Sequence, residues 1–217
     1  MSRPARVTIF DYGAGNLHSL AKALAAPDVE VRIDTDAERA ADPASTDVLV
    51  LPGVGAFTAA AERIGSAREA MRQAIEAGLR TVGICLGMQL LFAESEEGPG
   101  SGLGIIPGRV TRLRAARVPQ IGWNSIQQSA DAHDRLWLEV PLDIAYYANS
   151  FVCRPSDEQC VTAWSEHEGD RFPAAVRVGL KANVVGVQFH PEKSSVAGVR
   201  FLRAFVAQAI QGEEATR

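Results

Sequence analysis

A cysteine flanked by two glycines stands in the stretch Gly83-Ile84-Cys85-Leu86-Gly87-Met88-Gln89. The apolar run before it, residues 81–84, predicts a short buried strand, and residues 88–93 after it predict a helix. Glycines two residues on either side of Cys85 permit the sharp turn of a nucleophile elbow, whose central residue holds a strained backbone. Such a turn puts the sulfur near a helix N-terminus, where the dipole favours the thiolate, and aims the Leu86 N–H at a developing oxyanion. The pattern therefore indicates a catalytic cysteine rather than a buried structural one.

A second motif lies about a hundred residues further on. Residues 184–189 form another apolar run that predicts a buried strand, and the run ends in His190-Pro191-Glu192. Neutral histidine is the usual base for a thiol nucleophile, and it needs a third group to fix its tautomer. Residues two apart on an extended chain point to the same side, and Pro191 disfavours helix at His190. We therefore expect Glu192 to reach the imidazole and to complete a Cys-His-Glu triad.

The order of strand and helix patterns indicates the fold class. The first half alternates predicted strands (residues 6–10, 29–33 and 48–51) with a helical stripe (Leu17, Leu20, Ala21 and Leu24) and a helix over residues 66–77. This alternation is typical of parallel βαβ units. From residue 109 the strands become shorter and more antiparallel in character, and a closing helix is predicted over residues 197–210. We expect an α/β fold in one domain over residues 1–217, with a mixed, mostly parallel central sheet flanked by helices and a smaller antiparallel portion in the second half.

Composition limits the classes of function. With 217 residues and 47% hydrophobic content, the chain is long enough for one substantial core. A net charge of −4 gives no reason to expect nucleic acid or an anionic membrane as partner. The N-terminal residues have no signal-peptide pattern, no apolar run approaches membrane-spanning length, and three cysteines do not make a disulfide framework. No Cys/His spacing suggests a metal. We therefore expect a cytoplasmic protein without metal or cofactor.

Several stretches together resemble a known family. GICLGMQLLF and GVQFHPEKS supply Cys, His and Glu in the order used by the class I glutamine amidotransferases, and the resemblance covers nearly the whole chain. Two other stretches, DYGAGN from Asp11 and PQIGWN from Pro119, are similar to the glutaminase subunits of imidazole glycerol phosphate synthases. LPGVGAF, residues 51–57, and GIIPG, residues 104–108, also resemble those subunits.

The resemblance implies a flavodoxin-like fold and a glutaminase mechanism that needs no cofactor. It implies that Cys85 attacks the carboxamide of L-glutamine and that His190 and Glu192 handle the proton. One oxyanion donor is the Leu86 N–H, and the other is implied to come from the peptide between Gly53 and Val54. The residues implied to bind glutamine are Gln89, Asn149, Ser150 and Phe151.

A glutaminase without a synthase domain implies a partner, because free ammonia is protonated in water and lost. By resemblance this partner is a cyclase with the fold of a (β/α)8 barrel, which forms a heterodimer with the chain and receives ammonia through a channel in histidine biosynthesis. The residues that match partner-facing or gating positions are Asn16, Trp123, Tyr146 and Lys193. From sequence alone, Trp123 could also be a core aromatic residue and Lys193 a solvated lysine.

One departure from the family keeps alternatives open. Asn149-Ser150-Phe151 stands where the family usually has His-Ser-Tyr or His-Thr-Tyr. This leaves room for a paralogous glutaminase that supplies a different cyclase-like partner. A stand-alone γ-glutamyl hydrolase could use the same triad without a partner, but it would not need the DYGAGN and PQIGWN stretches.

Overall fold

A computed structural model describes residues 3–214, apart from residues 14, 16, 130–133 and 180–181. The strands are β1 (Ala5–Phe10), β2 (Val29–Asp34), β3 (Val48–Leu51), β4 (Arg80–Ile84), β5 (Glu94–Ser95), β6 (Gly108–Arg112), β7 (Gln120–Ser125), β8 (Gln127–Gln128), β9 (Ile144–Asn149), β10 (Phe151–Pro155), β11 (Val161–His167), β12 (Asp170–Val178) and β13 (Val184–Val187). The α-helices are α1 (Leu17–Leu24), α2 (Ala37–Ala40), α3 (Phe57–Ile64), α4 (Arg68–Glu76), α5 (Leu86–Gln89), α6 (Arg135–Glu139) and α7 (Ser195–Glu214).

The main sheet explains how distant motifs meet. In the described residues it has eight strands in the order β2-β1-β3-β4-β13-β12-β11-β8. The first five of these run parallel, and β12, β11 and β8 extend the sheet antiparallel. β4 and β13 are neighbours, with Ile84 opposite Val187. Because parallel strands end at the same edge, the residues after β4 and those after β13 lie side by side.

Alternating strand residues supply two cores, one on each face of the sheet. Val48 and Val50 of β3 pack into a cluster with residues of α1 and α7, whereas Leu49 and Leu51 pack into a second cluster with α3, α4 and α5. Strands buried on both faces read as continuous apolar runs, which is the pattern from which β3, β4 and β13 are predicted. The predicted α/β fold with helices on both faces is confirmed.

Apart from the two-residue strand β5, the strands of the smaller sheets belong to the second half of the chain, as predicted. β10, β6 and β5 form one sheet, in which β10 pairs antiparallel with β6 and β5 pairs parallel with it. β7 and β9 form an antiparallel pair. Among the described residues, no helix combines the length and the apolar character that crossing a membrane requires. The assignment of residues 1–217 to one domain stays a prediction.

Three local predictions differ from the structure. The helix predicted over residues 88–93 is instead α5, which ends at Gln89, because N–H groups of the following loop take the next carbonyls: Leu103 N–H donates to Leu90 O and Ile106 N–H donates to Leu91 O. Helices α2, α3 and α6 are not predicted from the sequence. In α1, Ala23 rather than Ala21 completes the buried stripe.

Candidate active site

Cys85 lies on the tight turn between β4 and α5. Its backbone has φ 47° and ψ −104°, a conformation that costs a residue with a side chain about 1–3 kcal/mol. The Cys85 N–H donates to Val187 O at 2.7 Å, so a hydrogen bond to the neighbouring strand holds the turn. The side chain is buried. The strain is therefore located on the residue that carries the sulfur, as the elbow pattern predicts.

The two flanking glycines are needed for close packing. A Cβ on Gly83 would lie 2.5 Å from the Gly87 carbonyl oxygen, and a Cβ on Gly87 would collide with the carbonyl of Leu51 in β3. Neither glycine has a positive φ. Their role differs from the conformational freedom expected from sequence, because they allow α5 to pack directly on the sheet while Cys85 takes the unusual dihedral angles.

His190 and Glu192 form a hydrogen-bonded pair beside the turn. His190 Nδ1 lies 2.9 Å from Glu192 Oε1, and the His190 ring is almost fully buried. His190 is extended, as predicted, whereas Glu192 lies in a short 3-10 turn over Pro191–Lys193. The second carboxylate oxygen, Glu192 Oε2, is buried without a hydrogen-bond partner. The structure thus brings together the three residues of the predicted triad.

The charge state of His190 follows from these contacts. Burial alone would lower its pKa, but hydrogen bonds and charge interactions with Cys85 and Glu192 outweigh burial and raise the pKa to about 9. The imidazole is therefore protonated at neutral pH. A proton on this ring is available for a leaving group next to Cys85.

The loop after β3 lies against the same two side chains. A Cβ on Gly53 would be 2.9 Å from His190 Cε1 and 3.1 Å from Cys85 Cβ. On the other side, Leu86 is the first residue of α5, so its N–H has no acceptor within the helix. The two peptides predicted as oxyanion donors, those of Val54 and Leu86, thus belong to segments that border Cys85. That they form an oxyanion hole stays a prediction.

Tyr12 and Gly15 of the DYGAGN stretch lie against that loop. The Tyr12 hydroxyl donates to the Pro52 carbonyl, and a Cβ on Gly15 would lie 3.6 Å from Val54 Cγ2. Burial, together with Cys85 and Asp11, raises the pKa of Tyr12 well above its ordinary value, so the hydroxyl stays a neutral donor. Asn16, predicted to face a partner, lies outside the described residues.

Two of the predicted glutamine-binding residues, Gln89 and Asn149, bond to the backbone carbonyl of a third, Phe151. Gln89 Nε2 and Asn149 Nδ2 both donate to Phe151 O, at 3.1 and 3.2 Å. Ser150 O accepts the Leu113 N–H at 2.9 Å. These contacts join α5 to the junction of β9 and β10. The binding roles of Gln89, Asn149, Ser150 and Phe151 stay predictions.

An apolar patch lies on the outer face of β7 and β9. We call Ile121, Trp123, Ile144 and Tyr146 the β7–β9 patch; the first three side chains are 67%, 52% and 52% exposed. Trp123 and Tyr146 are opposite each other in the register, with ring centroids 6.3 Å apart at 82°. The alternative that Trp123 is a core aromatic residue is therefore wrong. Lys193 is exposed just after Glu192.

Two polar residues of the site were missed from sequence. Gln188 is fully buried with Nε2 3.6 Å from Cys85 Sγ. Ser194 Oγ donates to His190 O at 2.7 Å and accepts the Tyr146 N–H at 2.9 Å. The spacing of Gln188, two residues before His190 on an extended segment, was a signal that could have identified it. In the part of the chain that the structure describes, no group of three or more His, Cys, Asp or Glu side chains is arranged to hold a metal ion.

Fold and site together define a class of protein. Residues 8–209 match the family model "Glutamine amidotransferase class-I", and the chain belongs to that family. Solved structures share the fold at low sequence identity. A putative GMP synthase protein from Thermoplasma acidophilum superposes with a TM-score of 0.74 at 16% identity, covering 100% of this chain and 99% of the other. PurLQS from Thermotoga maritima gives 0.68 at 16% identity, covering 95% and 99%.

Closer relatives narrow the family. The imidazole glycerol phosphate synthase subunit HisH of Synechococcus sp. (strain JA-2-3B'a(2-13)) is 41% identical over 93% of this chain and 92% of its own. The subunit of the same name from Symbiobacterium thermophilum is 42% identical over 91% and 92%, and that from Halobacterium salinarum is 40% identical over 94% of both. The chain is a member of the HisH family of glutamine amidotransferases.

Proposed function

We propose that this chain is the glutaminase subunit of an imidazole glycerol phosphate synthase, which hydrolyses L-glutamine and passes ammonia to a cyclase subunit in histidine biosynthesis. The observation that carries the chemistry is the strained Cys85 beside the charged His190–Glu192 pair. The names of relatives about 40% identical over more than nine-tenths of the chain support the pathway.

The proposed reaction uses each group once per half-reaction. The Cys85 thiolate attacks the carboxamide carbon of glutamine, the C–N bond breaks, and His190 gives its proton to the leaving nitrogen, which departs as ammonia. A γ-glutamyl thioester remains on Cys85. His190 then takes a proton from water, the water oxygen attacks the thioester carbon, and the C–S bond breaks to release glutamate. Glu192 holds the ring orientation and stabilises its charged form.

The roles proposed for His190 and Glu192 predict unequal effects. His190→Ala removes the proton carrier, so glutamine turnover should fall nearly as far as after loss of Cys85. Glu192→Gln keeps the side-chain shape but removes the charge, and we expect a ~10²–10⁴-fold loss of kcat. Steady-state rates at saturating glutamine measure both effects.

The pH profile of Glu192→Gln provides a second measurement. Because Glu192 helps to raise the His190 pKa to about 9, the variant should have a lower His190 pKa. The protonated ring is then lost at lower pH, so the alkaline fall in turnover should begin earlier than in the parent protein. Wild-type turnover with an unchanged alkaline limb would contradict the role of Glu192.

The β7–β9 patch supports the proposed partner. Exposed apolar residues clustered on one small sheet are typical of a protein interface. One of the two strands that carry the cluster, β9, also borders the catalytic residues. Tyr146 O accepts the His190 N–H at 2.9 Å, and Ala148 O lies 4.0 Å from Cys85 Sγ. A cyclase seated on this patch would be adjacent to the place where ammonia is released.

The same strand offers a route for activation. Tyr146 contributes to the patch, its carbonyl holds His190, and its N–H donates to Ser194, whose hydroxyl donates back to His190 O. A shift of β9 on docking therefore changes the surroundings of His190 directly. We propose that the chain alone is a poor glutaminase and that the partner with its ribonucleotide-derived ligand switches it on, through β9 and through the Gly53–Val54 peptide. An oxyanion donor that points away costs ~10²–10³-fold in turnover.

Glutamine hydrolysis in three conditions tests this proposal: the chain alone, with the cyclase subunit, and with the cyclase plus its nucleotide ligand. We expect rates that rise by ~10²–10³-fold from the first condition to the last. Equal and substantial rates in all three would contradict the switch and favour a stand-alone hydrolase. Failure to bind the histidine-pathway cyclase would favour a paralogue with another partner.

A pair of surface variants tests the docking site. Trp123→Asp should abolish the activation by disrupting the patch. Leu138→Asp is the matched control, because Leu138 is 71% exposed but lies on α6. The next residue, Glu139, is hydrogen-bonded to Gln208, about 20 Å along α7 from the end near His190. Equal activation of both variants would contradict the placement of the partner.

The cellular location and the domain limits belong to the same proposal. We place the protein in the cytoplasm, where glutamine would be available for histidine biosynthesis. All three cysteines are free thiols, as is expected for a protein in a reducing compartment. We also propose that residues 1–217 act as a single glutaminase domain.

A further inference from the structure

Gln188 makes a contact with the reacting sulfur that the triad does not explain. We propose that its side-chain amide is a dedicated hydrogen-bond donor to the Cys85 thiolate, which holds the sulfur in place and stabilises its negative charge. The inference rests on the proposed function, since it concerns the same nucleophile.

The contact is buried and directional. Gln188 Nε2 lies 3.6 Å from Cys85 Sγ, within the range of hydrogen bonds to sulfur, and the Gln188 side chain has no exposed surface. The backbone N–H of Gln188 donates to Ala174 O at 2.9 Å, so the sheet fixes the position from which the side chain reaches out. Burying an amide is costly unless its polar atoms are used.

The oxygen of the Gln188 amide makes no hydrogen bond that would account for the burial of the side chain. Gln188 Oε1 is buried and has no hydrogen-bond partner. Asn183, the residue before β13, provides a contrast, because its Nδ2 donates to both Ile75 O and Leu79 O at 2.9 Å and so joins two segments of backbone. The structure shows the Gln188 side chain hydrogen-bonded to the nucleophile, Cys85 Sγ.

The orientation of the amide agrees with the charge of its neighbour. In the proposed reaction the sulfur attacks glutamine as a thiolate, and a thiolate can only accept hydrogen bonds. The N–H side of the amide is therefore the side that suits the sulfur. Gln188 and His190 are two residues apart, and both reach Cys85 from the segment that follows β13.

The two side chains would act differently during turnover. His190 exchanges protons, whereas an amide does not ionise and can only donate. Gln188 would therefore stabilise the thiolate whenever it exists, before attack on glutamine and again when the sulfur leaves the γ-glutamyl thioester. In the thioester itself the sulfur is a poor acceptor, so the contact favours completion of the second step.

The variant Gln188→Met tests the proposal, because methionine has a similar length and no donor. The measurement is the absorbance of the Cys85 thiolate near 240 nm as a function of pH, taken as the difference from a counterpart that also carries Cys85→Ala. The other titratable groups around the sulfur are His190 with Glu192, Tyr12 after β1 and Cys153 in β10, and all are kept in both proteins. The midpoint should move upward by about one pH unit, the size expected for the loss of one hydrogen bond to a charged group.

Turnover gives the matching kinetic result. In the complex, Gln188→Met should lower kcat for glutamine by about tenfold with little change in KM, because the lost donor acts on the sulfur and not on substrate binding. The control is Asn183→Leu, which removes a buried amide whose N–H groups bond to Ile75 O and Leu79 O, and which should lower the melting temperature without moving the thiolate midpoint or kcat. An unchanged midpoint in folded Gln188→Met, or an equal change in Asn183→Leu, would overturn the proposal.

A measurement on the unmodified chain covers the case in which Gln188→Met does not fold. The side-chain NH2 signals of Gln188 in a ¹⁵N-labelled sample should shift as Cys85 ionises and should not shift in Cys85→Ala. Signals that do not respond to Cys85 would overturn the proposal. These measurements need no glutaminase activity. If the chain showed this dependence but hydrolysed no glutamine even with the cyclase and its nucleotide ligand, the proposed function would be refuted and this inference would stand.

Discussion

Cys85→Ser should abolish glutamine-dependent synthesis by the complex while ammonia-dependent synthesis stays nearly intact. The sulfur is the proposed nucleophile, and an alcohol in its place is a far weaker one at neutral pH, so we expect a loss of ~10⁴-fold or more with glutamine. Ammonia supplied from solution bypasses this chain, because the cyclase chemistry belongs to the partner. The measurement is the rate of product formation with each nitrogen source.

The matched control is Cys160→Ser. Cys160 is only partly buried, and its thiol is hydrogen-bonded to Asp157 O away from the site, so both rates should be kept. Assembly of each variant with the cyclase is checked by size-exclusion chromatography. A comparable loss of both activities in an assembled Cys85→Ser complex would contradict the division of labour between the two chains.

Gly53→Ala should cost at least ~10²-fold in glutamine turnover. The added methyl group would lie 2.9 Å from His190 Cε1, 3.0 Å from Ile84 O and 3.1 Å from Cys85 Cβ, so the loop or the catalytic pair must shift. From the sequence alone, we expect a β-branched residue at position 53 to lock the segment and to flatten the activation by the partner. The structure adds that even the smallest side chain disturbs the nucleophile and its base.

Gly15→Ala is the control for this substitution. Among the described residues, the methyl group added at Gly15 would contact Val54 Cγ2 at the ordinary distance of 3.6 Å. Turnover should therefore stay close to that of the parent protein. If both variants were equally active, the close approach of Gly53 to His190 would not be important for catalysis.

The sequence predicts the main sheet well because its strands are buried on both faces and read as plain apolar runs. The sequence-based prediction fails where an element ends because of a hydrogen bond to residues distant in the chain. The helix after Cys85 has an apolar sequence through Phe92, yet it ends at Gln89 because loop residues beyond Gly102 take its carbonyls. A local pattern contains no information about such a contact.

The active site also has features that local sequence predicts and features that it does not. Cys85, His190 and Glu192 stand in motifs whose spacing already indicates their chemistry. The contacts of Gln188 with the sulfur and of Tyr12 with Pro52 depend on which strands become neighbours, so they become visible only in the folded chain. The exposure of Trp123 likewise follows from the pairing of β7 with β9, which leaves one face of that pair uncovered in the chain alone.

The position of β9 constrains how this protein can evolve. One edge of the strand supports His190 through Tyr146, and the outer face of the same few residues forms the patch. Under the proposed docking, a substitution in β9 that improves the fit to the partner also alters the surroundings of His190. Affinity for the partner and glutamine turnover are then coupled at these positions. We therefore expect substitutions in β9 to occur together with a compensating substitution in the partner more often than alone.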